Sequence, residues 1–216
     1  YSFNFNVHAY VPLEDYKIYN YVFIGYDASG NKYFKTLQDD LRVYNLYGGN
    51  NQGGTTITTN LTMTSGLIDV IYGGGNKAIT TTTNVNIQNA LVNEAIYGGG
   101  NEASVTTVNL NLDKVTVGND ETEGSVYGGG NKADILDTVT AKVLNNTTIK
   151  GNLYAGGNLG AINGTVNLSV SDSFITNSIY GGGNKASVGN STSDVVTTLK
   201  ITNTSSEDIY GGGRSA

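Results

Sequence analysis

The sequence contains no cysteine and no tryptophan, and only one proline and one histidine among its 216 residues. Without cysteine, neither a disulfide framework nor a Cys-His metal site can form. The single histidine, His8, leaves no Ser-His-Asp arrangement available to the rest of the chain. No apolar run reaches the length that a transmembrane helix requires, so we expect no direct membrane insertion. These absences remove the commonest routes to catalysis and to a bound metal.

Positive charge is also scarce. The chain has 12 lysines and arginines against 18 acidic residues, which gives a formal net charge of −6. The basic residues are scattered along the sequence and form no cluster. Nucleic acids and anionic membrane surfaces are therefore poor candidate partners, because both require clustered positive charge.

What the chain does contain is a tyrosine–glycine motif that recurs seven times, most often as IYGGGN. Its tyrosines fall at 47, 72, 97, 127, 154, 180 and 210, so successive motifs lie 25 to 30 residues apart. A period of this length is typical of repeat proteins, in which each unit buries its apolar face by stacking on the next.

The segments between the motifs alternate apolar and polar residues, which predicts strands. Ile57, Thr59, Leu61 and Met63 illustrate the inward face of one such strand. A kelch blade needs about 50 residues, twice this period, and a leucine-rich repeat needs a leucine-asparagine framework that is missing. The pattern predicts an all-β fold, a right-handed three-sided parallel β-helix that occupies residues 47–216.

Residues 1–46 break the repeat and carry most of the phenylalanines. The stretch YVFIGYDASGNKYFKT contains two strand-like runs around a turn and predicts a β-hairpin. We interpret this segment as an N-terminal cap or small β-domain, because the end of a solenoid exposes unpaired backbone groups. The sequence begins without methionine and stops within a motif, which indicates a piece of a longer chain.

Equivalent residues of stacked coils form continuous rows about 4.8 Å apart along the axis. One row is predicted to be a buried asparagine ladder with hydrogen bonds between coils; after Asn50 it holds Asn76, Asn101, Asn131, Asn158 and Asn184. Beside it, Lys77, Glu102 and Lys132 are expected to form weak exposed ion pairs.

A further row holds Tyr72, Tyr97, Tyr127, Tyr154, Tyr180 and Tyr210, and Phe174 is the only other aromatic residue after position 47. Alternation places the aliphatic residue before each tyrosine inward and the tyrosine outward. The motif glycines exceed what a left-handed turn needs and would leave bare backbone beside exposed rings. Such a strip would suit sugar rings or a protein partner. Alternatively, the tyrosines stack on each other and shield the glycine edge.

Carboxylates offer the remaining route to enzyme chemistry. Asp134 with Asp137, and Asp120 with Glu121 and Glu123, are the acidic groupings of the repeats. Paired carboxylates can hydrolyse glycosides, and such groups can bind calcium weakly. Both groupings lie in predicted turns without an obvious partner, so we interpret them as solvated charge and predict no enzyme, metal or cofactor.

The YGGGN coils with Thr- and Asn-faced strands resemble the adhesin-like parallel β-helix repeats of large bacterial surface proteins. They resemble more distantly the pectin-lyase-like superfamily and autotransporter passengers. The resemblance implies an extracellular, non-catalytic adhesin or stalk, with a glycan, a surface protein or a neighbouring domain as partner. No catalytic residues of the enzymatic members find matching positions here. A phage fibre segment would look the same, and the threonine runs at 55–60 and 80–84 also admit an ice-binding surface.

Overall fold

A computed structural model describes the backbone of residues 21–26 and 32–36 and the whole of residues 43–189 and 197–215. This part of the chain is entirely β-structure and turns. It contains no helix, and so none that is long and apolar enough to cross a membrane.

The first two strands form the hairpin that the sequence predicts. Strand β1 (Tyr21–Tyr26) pairs with β2 (Lys32–Thr36) in antiparallel register, with an irregularity between Phe23 and Gly25. The location of this hairpin over one end of the stack stays a prediction.

From Val43 onward the chain winds into a parallel β-solenoid of about six turns. The stack thus begins with strand β3, a few residues before the first motif tyrosine. Its strands are β3 (Val43–Tyr47), β4 (Thr56–Met63), β5 (Leu67–Tyr72), β6 (Thr80–Gln88), β7 (Leu91–Tyr97), β8 (Val105–Asp113), β9 (Thr116–Val117), β10 (Ser125–Tyr127), β11 (Val139–Leu144), β12 (Thr148–Ile149), β13 (Leu153–Tyr154), β14 (Val166–Ser171), β15 (Phe174–Ile175), β16 (Ile179–Tyr180), β17 (Thr197–Thr202) and β18 (Ile209–Tyr210).

Two parallel sheets enclose the core. Strands β4, β6, β8, β11, β14 and β17 form one sheet, in which each strand pairs with its equivalent in the next coil. In the other sheet, β7 pairs with both β9 and β10, so one continuous strand gives way to two shorter ones. The split coincides with the polar segment GNDETEG at 118–124, which lies between β9 and β10. The parallel β-helix is confirmed; its right-handed sense stays a prediction, in keeping with the usual hand of parallel crossovers.

The interior is aliphatic along the whole stack. The row before the motif tyrosines is buried at Ile71, Ile96, Val126, Leu153 and Ile179, as the sequence predicts. Ile209 departs from this row because it is 51% exposed. It lies in the last described coil, where β18 pairs with β16 alone, so its other side has no neighbour among the described residues.

The strand alternation fails at one corner of the coil. Thr80 and Thr83 are both buried although they are three residues apart, so the chain bends between them. Ile57 lies at the equivalent bend of the preceding coil and is 75% exposed. The prediction that Ile57 points into the core with Leu61 and Met63 is therefore wrong, because strict alternation does not continue around the corner.

Thr80 should be replaceable by valine with a gain in stability. Its Oγ1 atom is fully buried and has no hydrogen-bond partner among the described residues. The equivalent residue of the next coil is Val105, which is equally buried. Because an unsatisfied buried hydroxyl is costly, Thr80→Val is expected to raise the free energy of unfolding by about 1 kcal/mol in urea titrations. A loss of stability would mean that this hydroxyl has a partner.

Candidate functional site

The tyrosines of the motif form one continuous stack. Neighbouring ring centroids are 4.8 to 5.0 Å apart and the ring planes are 5° to 11° from parallel. The parallel register, which pairs each motif tyrosine with the next, produces this spacing. The stack runs through Tyr47, Tyr72, Tyr97, Tyr127, Tyr154, Tyr180 and Tyr210.

The expected strip of exposed rings is wrong. Tyr72, Tyr97 and Tyr154 are 7%, 8% and 1% exposed, while Tyr210 at the end of the stack is 46% exposed. Tyr72 and Tyr97 pack with Ala95 in a small cluster separate from the main core, so they do point away from it. Outward orientation does not expose them, because each ring lies between the rings of the coils on either side.

Burial also changes the acidity of these phenols. It raises the pKa of Tyr72 to about 12, with a smaller contribution from neighbouring Tyr47. The pKa of Tyr97 is raised further, again mainly by burial and then by the adjacent tyrosines. At the end of the stack, Arg214 donates a long hydrogen bond of 3.5 Å from Nη1 to the hydroxyl of Tyr154. Tyr72 and Tyr97 are therefore neutral and poorly suited to proton transfer near neutral pH.

The alkaline limb of stability should depend on these buried phenols. Because burial disfavours phenolate, the folded chain keeps Tyr97 protonated where the unfolded chain ionises it. This stabilisation is complete below about pH 10 and is lost as the pH rises toward the folded-state pKa. Tyr97→Phe keeps the ring and removes the ionisation. Urea titrations above pH 10 measure how the free energy of unfolding falls as the pH rises. The fall should be less steep for the variant than for the parent chain, with slopes that differ by about 1.4 kcal/mol per pH unit. Equal slopes would contradict burial of this hydroxyl.

The glycines of the motif serve close packing between coils. None of those in the described coils has a positive φ; the glycines that do are Gly54, Gly66, Gly118 and Gly189. A Cβ atom on Gly129 would lie 2.7 Å from Cδ1 of Ile162 and 2.9 Å from the backbone nitrogen of Gly157. The motif glycines between residues 73 and 183 are also buried. The expected bare shelf beside the rings is therefore absent, because the backbone of the next coil occupies that space.

Interior threonines complete this packing. Thr59 donates a hydrogen bond of 2.8 Å from Oγ1 to the carbonyl oxygen of Gly73, and Thr83 makes the same contact with Gly98. Both hydroxyls are buried, as is that of Thr80. Several side chains of the threonine runs are therefore buried in the core. The flat exposed threonine surface that an ice-binding protein requires is correspondingly smaller.

The asparagine row forms the predicted ladder. In each coil the side-chain Nδ2 atom donates to Oδ1 of the preceding coil's asparagine, over 2.8 to 2.9 Å. The ladder starts at Asn51, one residue after the expected Asn50. Asn51 is exposed and the members from Asn76 onward are half-buried, so the ladder is less enclosed than predicted. It runs from Asn51 through Asn76, Asn101, Asn131 and Asn158 to Asn184.

Removing one amide from this ladder should be measurably destabilising. Asn131 donates to Asn101 and accepts from Asn158, so Asn131→Ala breaks two bonds and removes the partner of Oδ1 in Asn101 and of Nδ2 in Asn158. We expect a loss of about 1 to 2 kcal/mol, below the cost of full burial because the row is half-buried. Asn109→Ala is the control, since Asn109 is exposed and ends a shorter amide row. Equal losses in the two urea titrations would contradict a special role for the ladder.

The charged row beside the ladder also forms as predicted. Glu102 lies 2.8 Å from the Lys132 ammonium and 3.8 Å from that of Lys77. The hydrogen bond from Lys132 lowers the pKa of Glu102. All three side chains are largely exposed, so the pairs contribute little to stability.

The acidic groupings serve the backbone and nearby lysines. Asp134 accepts a hydrogen bond of 2.8 Å from the backbone nitrogen of Ala161 in the next coil. Asp120 pairs with Lys150, which lowers the pKa of Asp120. Within the described ranges, no three His, Cys, Asp or Glu side chains are placed to hold a metal ion. His8 lies outside those ranges.

A column of left-handed turn residues went unnoticed in the sequence. It follows five of the six long strands, β6, β8, β11, β14 and β17, and its φ angles are 47° at Asn89, 56° at Lys114, 52° at Asn145, 50° at Asp172 and 44° at Asn203. Asn and Asp tolerate this conformation, so the Asn or Asp that follows four of the six long strands was the available signal, with Lys114 as the exception within the column. Beside this column the row of second strands carries Phe174, which is 49% exposed.

Comparison with known proteins adds no assignment to these rows. A scan against protein families finds no match, and searches of curated proteins and of solved structures find none either. The likeness to adhesin-like repeats therefore stays a prediction drawn from the residues of the motif.

Proposed function

We propose that this chain is a non-catalytic structural segment, a rigid stalk or fibre section of an extracellular bacterial surface protein. The observation that carries the proposal is the tyrosine stack. Its inner rings contact each other at about 4.9 Å, the distance of ring stacking, and several are almost fully buried. A side chain whose two faces are covered by its neighbours contributes to the cohesion of coils and has little surface left for a ligand.

The other repeated positions support the same function. The asparagine ladder and the Glu102 ion pairs both join one coil to the next. The motif glycines allow the coils to approach closely. The repeated features of the coil thus hold the rod together along its axis, which is what a spacer requires.

A glycan strip along the tyrosines, the alternative raised by the sequence, loses its main support. Stacking of a sugar needs an open ring face, and the inner tyrosines offer only edges and hydroxyls. The extracellular assignment is supported by the resemblance of the YGGGN coils to bacterial surface repeats. Antibody labelling of intact and lysed cells of the source organism tests it: equal signals support surface display, and signal only after lysis contradicts it.

Coil duplication tests the stalk itself. Repeating residues 98–127 in tandem inserts one full period between Tyr127 and Gly128 without a new junction sequence. In a nearest-neighbour solenoid this should lengthen the particle by about 4.8 Å at unchanged cross-section, and should preserve or raise its melting temperature. Small-angle X-ray scattering and a thermal melt measure both. A destabilised or unextended product would contradict a modular rod.

A further inference from the structure

Phe174 has the open ring faces that the tyrosines lack. It is 49% exposed and makes no ring contact with another aromatic side chain in the described part of the chain. Its partners in the adjacent coils are Thr148 and Ser205. These side chains are too small to cover a phenyl ring, so the faces of the Phe174 ring stay open to a ligand. We call this exposed ring the platform.

The platform lies in an open groove of about 1060 Å³. Besides Phe174, residues from four successive coils line this groove, which we call the Phe174 groove: Lys114, Asn145, Asn146, Asp172 and Asn203. The left-handed turns bring these polar side chains to the same edge of the stack. With coils about 4.8 Å apart, the groove is about 15 Å long, enough for a short linear oligomer.

The polar groups of the groove retain hydrogen-bonding capacity. Asn203 donates to Oδ1 of Asp172 over 2.7 Å, which fixes the carboxylate and leaves its second oxygen available. Asn145 donates to Asp113 over 3.1 Å, which leaves its own oxygen as an acceptor. The side chains of Asn146 and Lys114 make no hydrogen bond or ion pair with other described residues. The groove therefore offers donors and acceptors around one apolar ring, with one charge of each sign.

We propose that the Phe174 groove binds a neutral oligosaccharide. A pyranose presents an apolar face of C–H groups, which packs on an aromatic ring, and hydroxyls that pair with amide and carboxylate groups. The balance of Lys114 and Asp172 favours an uncharged ligand over an acidic one. This binding would add an activity to the stalk, and the stalk function does not depend on it.

NMR titration with defined sugars tests the proposal. Tetrasaccharides of glucose, mannose, galactose and N-acetylglucosamine serve as separate probes with the ¹⁵N-labelled chain. At least one should shift the side-chain amide signals of Asn145, Asn146 and Asn203, with a Kd of about 1 mM, typical of a shallow site. Thr148 occupies the position equivalent to Phe174 in the preceding coil, so Phe174→Thr introduces a residue that this row already contains. The variant should bind the sugar at least about tenfold more weakly.

Leu91→Thr is the matched control. Leu91 is 43% exposed in the same row of second strands but lies outside the groove, so its replacement should leave sugar binding unchanged. Shifts confined to the tyrosine row would overturn the proposal, as would the absence of shifts with every sugar at about ten times that Kd. Binding of a phenylalanine-containing peptide library without binding of any sugar would also overturn it, and would identify the groove as a peptide site.

Discussion

Tyr154→Ala is expected to lower the free energy of unfolding by about 3 to 5 kcal/mol, the usual cost of deleting a large buried aromatic side chain. Tyr154 is 1% exposed and stacks on Tyr127 and Tyr180 at 4.9 Å on both sides. Its removal would leave a gap in the middle of the stack, and the rigid spacing of the coils prevents the neighbouring rings from closing it. Chemical denaturation followed by far-ultraviolet circular dichroism measures the loss.

Two controls separate this effect from the loss of any tyrosine. Tyr210 occupies the same motif position at the end of the described stack, with one ring neighbour and 46% exposure. Tyr210→Ala should therefore cost about 1 kcal/mol, the contribution of a single aromatic pair. Tyr154→Phe keeps the ring and should retain most of the stability. Similar losses for Tyr154→Ala and Tyr210→Ala would contradict a cohesive stack.

Gly129→Ala is expected to destabilise the chain by about 3 kcal/mol, at the upper end of the usual cost of overpacking. The new methyl group would meet Ile162 and the backbone of Gly157 at 2.7 to 3.0 Å, and the backbone cannot move without disturbing the coil. Gly129 is the middle glycine of its motif, a position that is glycine in all seven motifs. The first position differs, since Ala155 occupies it in the fifth motif.

The matched control is Gly212→Ala. Gly212 is the middle glycine of the last motif, and a Cβ atom there would have nothing within 4 Å. The substitution should therefore change stability by less than about 0.5 kcal/mol, as surface changes usually do. Thermal and urea unfolding of both variants provide the comparison. An equal loss in both would mean that the motif needs glycine for its backbone conformation, which the φ angles of the motif contradict.

The period of the motif was enough to predict most of the fold. Because parallel coils align equivalent residues, the spacing of the motif tyrosines fixed the register and identified the rows that Asn131 and Val126 occupy. Both rows form as predicted over most of their length. The hairpin at 21–36 followed from two strand-like runs around a turn.

Exposure could not be predicted in the same way. Alternation along a strand shows which side of the sheet a residue faces, but the coils above and below decide whether Tyr97 is covered. The motif glycines suggested free backbone, whereas they make room for the next coil, as Gly129 shows. Phe174 was visible in the sequence as an isolated aromatic, but its role depends on the small residues stacked beside it.

Chemical modification of the rings tests the central claim, a buried tyrosine spine, most directly. Mild nitration of the folded chain, followed by mass spectrometry of its peptides, reports the accessibility of each ring. The structure predicts rapid nitration of Tyr44 and Tyr210, which are 67% and 46% exposed, and protection of Tyr72, Tyr97 and Tyr154 until the chain unfolds. Nitration of Tyr97 and Tyr154 in the folded chain as fast as that of Tyr210 would contradict the stack and restore the exposed strip.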